Sequence, residues 1–303
     1  MQRTSIVLLL AASFLAGSCS WTPADHSADP AYEREIQAFR ERRVANLTRE
    51  TGWLTLTGLH WLEQGENAVG SDPAATVVLP EGKAPARVGT IQLSGGTATF
   101  IPETGIPVTI DGLEVTGPVT LAPDTSGDPT VMDLGTLQWF LIERAGRFGI
   151  RARDREHPAR MDFKGIASFP VDEKWRVKAR LEPYDPPKQI PIQNIIGSVE
   201  PLPSPGALVF TLDGREYRLD PITEEGSDEL FVIFADGTSG VETYPAGRYL
   251  YASLPGEDGT TVLDFNRAYN PPCAFTEFAT CPLPPRQNRL DARITAGEMD
   301  WKH

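Results

Sequence analysis

From Gly52 onward the chain is a succession of short apolar runs, each cut off within a few residues by a turn signal. VVLP, TIQL, ATFI, VTI, LEV and VTLA follow one another through the first half. LQWFLIER, RFGIRARD, WRVKARLEPY, ALVFTLDGREYRLDPI, ELFVIFAD, RYLYASL and TTVLDFN follow in the second. Apolar runs of this length, bounded by turn residues, read as strands. Two dipeptides sharpen the reading, Asp111-Gly112 between VTI and LEV and Asp213-Gly214 between FTL and REYRL. Both favour a two-residue hairpin turn. The 27 glycines and 27 prolines supply further turns and argue against a helix bundle.

One long helix is expected, over residues 30–49. Asp29 is a good N-cap and Pro30 a good first helical residue, and Tyr32, Ile36, Phe39, Val44 and Leu47 form a loose stripe. The chain is therefore expected to be mainly β. A helix and a small antiparallel β-sandwich fill 31–123, and a β-barrel or strongly bent sandwich fills 129–303. The turn-rich DTSGD at 124–128 is the expected boundary. Strands of the second half load Arg, Tyr, Asp and Asn onto one face, as they would if that face lined a polar cavity.

The N-terminus reads as a leader. Arg3 precedes Ile6–Gly17, a run of apolar and small residues too short to span a bilayer. It ends in Leu15-Ala16-Gly17-Ser18-Cys19, which resembles a lipobox, with the leucine four places before the cysteine rather than three. Residues 1–19 are thus expected to be a lipoprotein signal, with Cys19 the lipidated residue and residues 20–30 a tether; an ordinary secreted protein is the alternative. Ser20 follows the cysteine, and Asp25 and Asp29 lie too far on to retain the protein at an inner membrane. The expected location is the cell envelope, at an outer membrane facing the periplasm. The formal net charge of −13 disfavours a phosphate backbone as partner, so no nucleic acid is expected.

GENAVGSDPAATVVLPEGKAPARVGTIQL, followed by VTIDGLEV, resembles the forkhead-associated sandwich. That resemblance implies phosphothreonine binding through an arginine after the hinge glycine and a serine in the next loop. Here Ser71 follows Gly70, and the loop reads Ala84-Pro85-Ala86-Arg87, which leaves Arg87 as the candidate cation and makes a phosphopeptide an unfavoured partner. Longer motifs are similar to a bacterial family known as domain of unknown function sixteen-eighty-four: GWLTLTGLHWLEQGENAVGS, RARD, FPVDEKWRV, FADGTSGVETYPAGRYLY, LDFNRAYNPPCAFTEFATCPLPPRQNRL and AGE. This second resemblance implies a fold and the unity of the chain, and brings no activity with it.

Candidate binding residues come from the polar positions. Arg147, Arg151 and Arg153 share one face of RFGIRARD, where they need carboxylates such as Asp154, Asp236, Asp264 or Glu298, or an anionic ligand. Asp236, Thr238, Tyr244 and Arg248 belong to a turn that they either cap or open as a pocket. Asp264, Asn266 and Asn270 begin the irregular segment 264–290, read equally as a lid over a barrel mouth or as a structural plug. Cys273 and Cys281 within it read as a disulfide, with buried thiols or a metal site as alternatives. A metal would need partners, and His26, His60, His157 and His303 are remote in sequence.

No nucleotide-binding, metalloprotease or serine-hydrolase motif is present, and no cofactor or metal is expected. His60 reads as a half-buried structural histidine and His157 as a turn residue. The preferred expectation is a small polar or anionic ligand, or a partner, in the barrel mouth. The alternatives are a glycosidase-like hydrolase using carboxylates such as Asp236 and Asp264, and a purely structural envelope protein.

Overall fold

The computed structural model describes residues 28–301. The leader, Cys19, the tether up to residue 27, His26 and His303 lie outside the described residues. Helix α1 (Pro30–Thr48) begins where the sequence places it: Asp29 accepts a 2.7 Å hydrogen bond from the Ala31 amide, and Tyr32, Ile36 and Leu47 are buried.

Eleven strands follow: β1 (Leu56–Trp61), β2 (Gly65–Gly70), β3 (Val77–Val78), β4 (Gly89–Ser94), β5 (Thr97–Pro102), β6 (Thr109–Ile110), β7 (Leu113–Glu114), β8 (Val119–Thr120), β9 (Val131–Leu134), β10 (Leu137–Arg144) and β11 (Arg147–Asp154). They form two sheets, ordered β1-β11-β10-β9-β6-β7 and β3-β2-β4-β5-β8. Val69, Ile91 and Phe100 from one sheet pack on Trp139, Leu141 and Ile150 from the other. The sandwich therefore runs through Asp154, and the boundary expected at 124–128 falls inside it. The reason is a long-range pairing: β1 is an edge strand of its sheet and lies against β11, Leu59 opposite Arg151.

The second half opens after α2 (Pro158–Met161) and comprises β12 (Arg176–Gln193), β13 (Val199–Leu212), β14 (Arg215–Leu219), β15 (Ile222–Thr223), β16 (Glu229–Phe234), β17 (Arg248–Ser253) and β18 (Thr260–Asp264). The sheets are β14-β13-β12-β18 and β15-β16-β17. The long β12–β13 hairpin loses register between Pro183 and Lys188, where prolines interrupt the ladder. Its two halves serve different cores. Leu208 and Phe210 pack with Val232, Phe234, Leu250, Leu263 and Phe265 inside a half-barrel. Ile190 and Ile192 pack with Phe231, Ile233, Tyr249, Ala279 and Cys281 on the outer face of β16–β17.

This arrangement corrects the expected polar cavity. Along β17, Leu250 and Ala252 enter the half-barrel core while Tyr249 enters the other, so both faces of the strand are packed. The expected polar face is not there: Arg248 shares the side of Leu250 and lies over Phe234, and the tyrosines of the other side meet a second apolar core. Both hairpin dipeptides behave as expected. Asp111-Gly112 has φ of 52 and 77°, Asp213-Gly214 of 49 and 77°, and each joins adjacent antiparallel strands.

Candidate functional site

The predicted site residues do not converge on one cavity; they fall into three buried networks and a seam. In the first, Asp236 and Arg248 pair at 3.2 Å with side chains 0% and 1% exposed. Asp236 also accepts from the Ile294 amide at 2.7 Å and the Thr238 hydroxyl at 2.6 Å. Arg248 donates to the Ile294 and Ala296 carbonyls. Burial lowers the Arg248 pKa and the Asp236 carboxylate opposes that shift.

In the second, Tyr32 donates to Asp264 at 2.7 Å, Asn266 donates to the Tyr32 hydroxyl and the Asp172 carbonyl at 2.9 Å each, and Arg267 meets the other Asp264 oxygen at 3.2 Å. The third ties Asn270 to the C-terminal segment. Its amide donates to Glu298 at 2.7 Å, its side chain donates to the Met299 carbonyl at 2.7 Å, and Arg43 of α1 joins Glu298 at 3.1 Å. Burial raises the Glu298 pKa, against the pull of Arg43. Tyr244 donates to the Cys273 carbonyl at 3.1 Å. Asp236 and Asp264 thus sit in separate networks, each with both oxygens engaged, rather than as a pair facing one cavity.

The arginines of β11 do not meet the carboxylates expected for them. Arg147, Arg151 and Arg153 lie over the rings of Trp61, Trp53 and Phe140, at 4.4, 5.4 and 4.7 Å. Asp154 instead binds Lys83 at 2.6 Å. Burial pushes the Arg151 guanidinium down to about 10, with Arg144 adding to the shift, and Arg153 likewise to about 10, helped by Arg49.

Cys273 and Cys281 are joined as a disulfide with their Cα atoms 6.1 Å apart. The loop they close lies against the arginine-bearing sheet, where Thr280 meets Arg144 and Arg151. It is also pinned to the β12–β13 hairpin, because the Ile195 amide donates to the Cys281 carbonyl at 2.9 Å and the Leu283 amide to the Gln193 carbonyl at 2.7 Å. Segment 264–290 is therefore plug and seam rather than a lid over a barrel mouth.

At one edge of this seam is an open cleft of about 750 Å³. Trp53, Phe275 and Phe278 give it aromatic surface, Pro80 and Pro158 apolar rims, and Glu81, Lys83, Asp154, His157 and Glu277 its polar groups. His157 caps α2 by accepting from the Ala159 amide at 3.2 Å, so its role is more definite than that of a turn residue. His60 is half-buried, and burial lowers its pKa. Sequence reasoning missed Trp53, Lys83 and Phe278 as neighbours. They come from three distant segments, and only the mixture of aromatic residues in the disulfide segment pointed toward them.

The forkhead-associated positions are otherwise engaged. The Ser71 hydroxyl donates to the Ala84 carbonyl at 2.9 Å, and Arg87 pairs with Glu103 at 2.9 Å and Glu66 at 3.9 Å.

The FHA domain of FhaA, in a crystal structure of its complex, is similar at 20% identity, over 31% of this chain and 97% of that one, with a TM-score of 0.22. The solution NMR structure of an uncharacterized protein from Haloarcula marismortui is similar at 34% identity, over 48% of this chain and 81% of that one, with a TM-score of 0.40. No curated protein matches the chain. A family model described as a protein of unknown function matches residues 161–299, and by that match the second half of the chain belongs to the family DUF1684.

Proposed function

We propose that the protein is an exported, lipid-anchored envelope protein that binds a small polar molecule in the cleft at the seam between the sandwich and the disulfide loop. The leader Ile6–Gly17 and Cys19 support export and anchoring, and the Cys273–Cys281 disulfide is in keeping with an oxidising compartment. The observation that carries the binding reading is the contrast between a half-barrel packed with apolar side chains and a 750 Å³ cleft whose wall mixes rings with charged groups. Such a surface suits a ligand with one apolar face and several hydrogen-bonding groups. Glu81, Asp154 and Glu277 favour a neutral ligand over an anionic one at this place.

A thermal-shift screen of small polar compounds tests this, because binding to the folded state alone raises the unfolding midpoint. At least one compound should raise the midpoint of the wild type, and Phe278→Ala should remove at least half of that rise. A screen without a stabilising compound, or a rise that Phe278→Ala and Glu277→Lys leave intact, overturns the assignment.

A further inference from the structure

Where β10 and β11 meet the disulfide loop, charge and hydrogen bonding do not balance. Arg151 is 4% exposed, and its Nε is buried without a hydrogen-bond partner. Its Nη2, on the same edge of the guanidinium, reaches Thr280 Oγ1 at 3.5 Å. Arg144 Nε approaches the same hydroxyl at 3.4 Å. Both distances lie outside the usual range for such bonds, so two guanidiniums converge on one hydroxyl that satisfies neither.

The nearest carboxylate is already used. Asp124 is held by Arg144 through a fork of 3.0 and 2.6 Å. Among the described residues Arg151 has no carboxylate within ion-pair distance, and the ring of Trp53 at 5.4 Å attracts its charge without cancelling it. Two guanidiniums against one carboxylate leave one positive charge uncompensated, and an uncompensated buried charge is costly. The planar Nε–Nη2 edge of an arginine matches a carboxylate in both spacing and charge.

We propose that Arg151 and Arg144, beneath Thr280, form a binding site for a carboxylate group. Nε–H and Nη2–H of Arg151 hold its two oxygens, and Nε–H of Arg144 reaches one of them from the opposite side. Thr280 is half-buried, and the ligand takes the place of its hydroxyl beside the two guanidiniums. A monoanion balances the local charge; a dianion such as phosphate would set a second negative charge beside Asp124. The site adjoins the cleft through Trp53, which lines the one and lies over Arg151 in the other, but it does not depend on that reading.

The test uses the disulfide-intact protein with sodium acetate, sodium phosphate and sodium chloride at equal ionic strength. Acetate should raise the melting midpoint saturably above chloride and move the Arg151 Nε–H resonance. Arg151→Gln should abolish the acetate increment, while Arg180→Gln, an exposed arginine elsewhere, should keep it. If Arg151→Gln does not fold, Arg144→Gln carries the same comparison. No rise of the wild type above chloride overturns the site, as does a rise that survives loss of either Arg151 or Arg144. A larger rise with phosphate than with acetate overturns the carboxylate assignment in favour of a dianion.

Discussion

Arg248 is a charge sealed inside a core, and its partners show what that requires. Its guanidinium meets Asp236 and the carbonyls of Ile294 and Ala296, against the ring of Phe234 at 5.3 Å. Removing one member strands the other in an apolar setting, which typically costs about 3–5 kcal/mol. Arg248→Met should therefore lower stability by that amount in urea denaturation, whereas the exposed Arg180→Ala should change it by about 0.5 kcal/mol or less. Sequence reasoning set Arg248 at a turn, on a side that it either caps or opens as a pocket. It could not tell that this side is closed, because closure comes from Ile294 and Ala296, far along the chain. Arg151 shows the same limit in reverse: RFGIRARD announces arginines on one face, but Trp53 and Thr280, which decide their surroundings, come from elsewhere.

Among the elements, the disulfide loop has the clearest mechanical role. The bridge spans a sequence separation of 8 and fixes a segment that touches both the sandwich and the β12–β13 hairpin. On the chain-entropy account, closing a loop of this size stabilises the fold by roughly 2–3 kcal/mol. Cys273→Ser should lose about that much, and reductant should lower the wild-type midpoint while leaving the variant unmoved; equal midpoints with and without reductant would contradict the bridge. The two cysteines could be read from their spacing and the leader. The hairpins at Asp111-Gly112 and Asp213-Gly214 and the helix start at Asp29-Pro30 were equally legible, because each is a local rule. The return of β11 to β1 was not, since a pairing between residues 59 and 151 leaves no trace in either segment alone.

For the whole molecule, the proposed anchor has a direct test. Cys19→Ala should abolish lipid labelling and move the protein from the membrane to the soluble periplasmic fraction. Retention in the membrane with no acylation of the wild type would end the lipoprotein reading. The docking of α1 has another outcome, in the order of assembly. Its Tyr32 bonds Asp264, and its Arg43 bonds the Asn270 carbonyl and Glu298, across separations of 232, 227 and 255 residues. A solitary helix of this length is marginal in water, and contacts between distant parts of a chain form slowly. Synthesis runs from the N- to the C-terminus, so α1 is made before each of these partners and must wait for them. The contacts that seat Tyr32 and Arg43 cannot form until the segment from Asp264 to Glu298 has been made, so the docking of α1 is completed late even though Arg40 can bond the Phe169 carbonyl earlier.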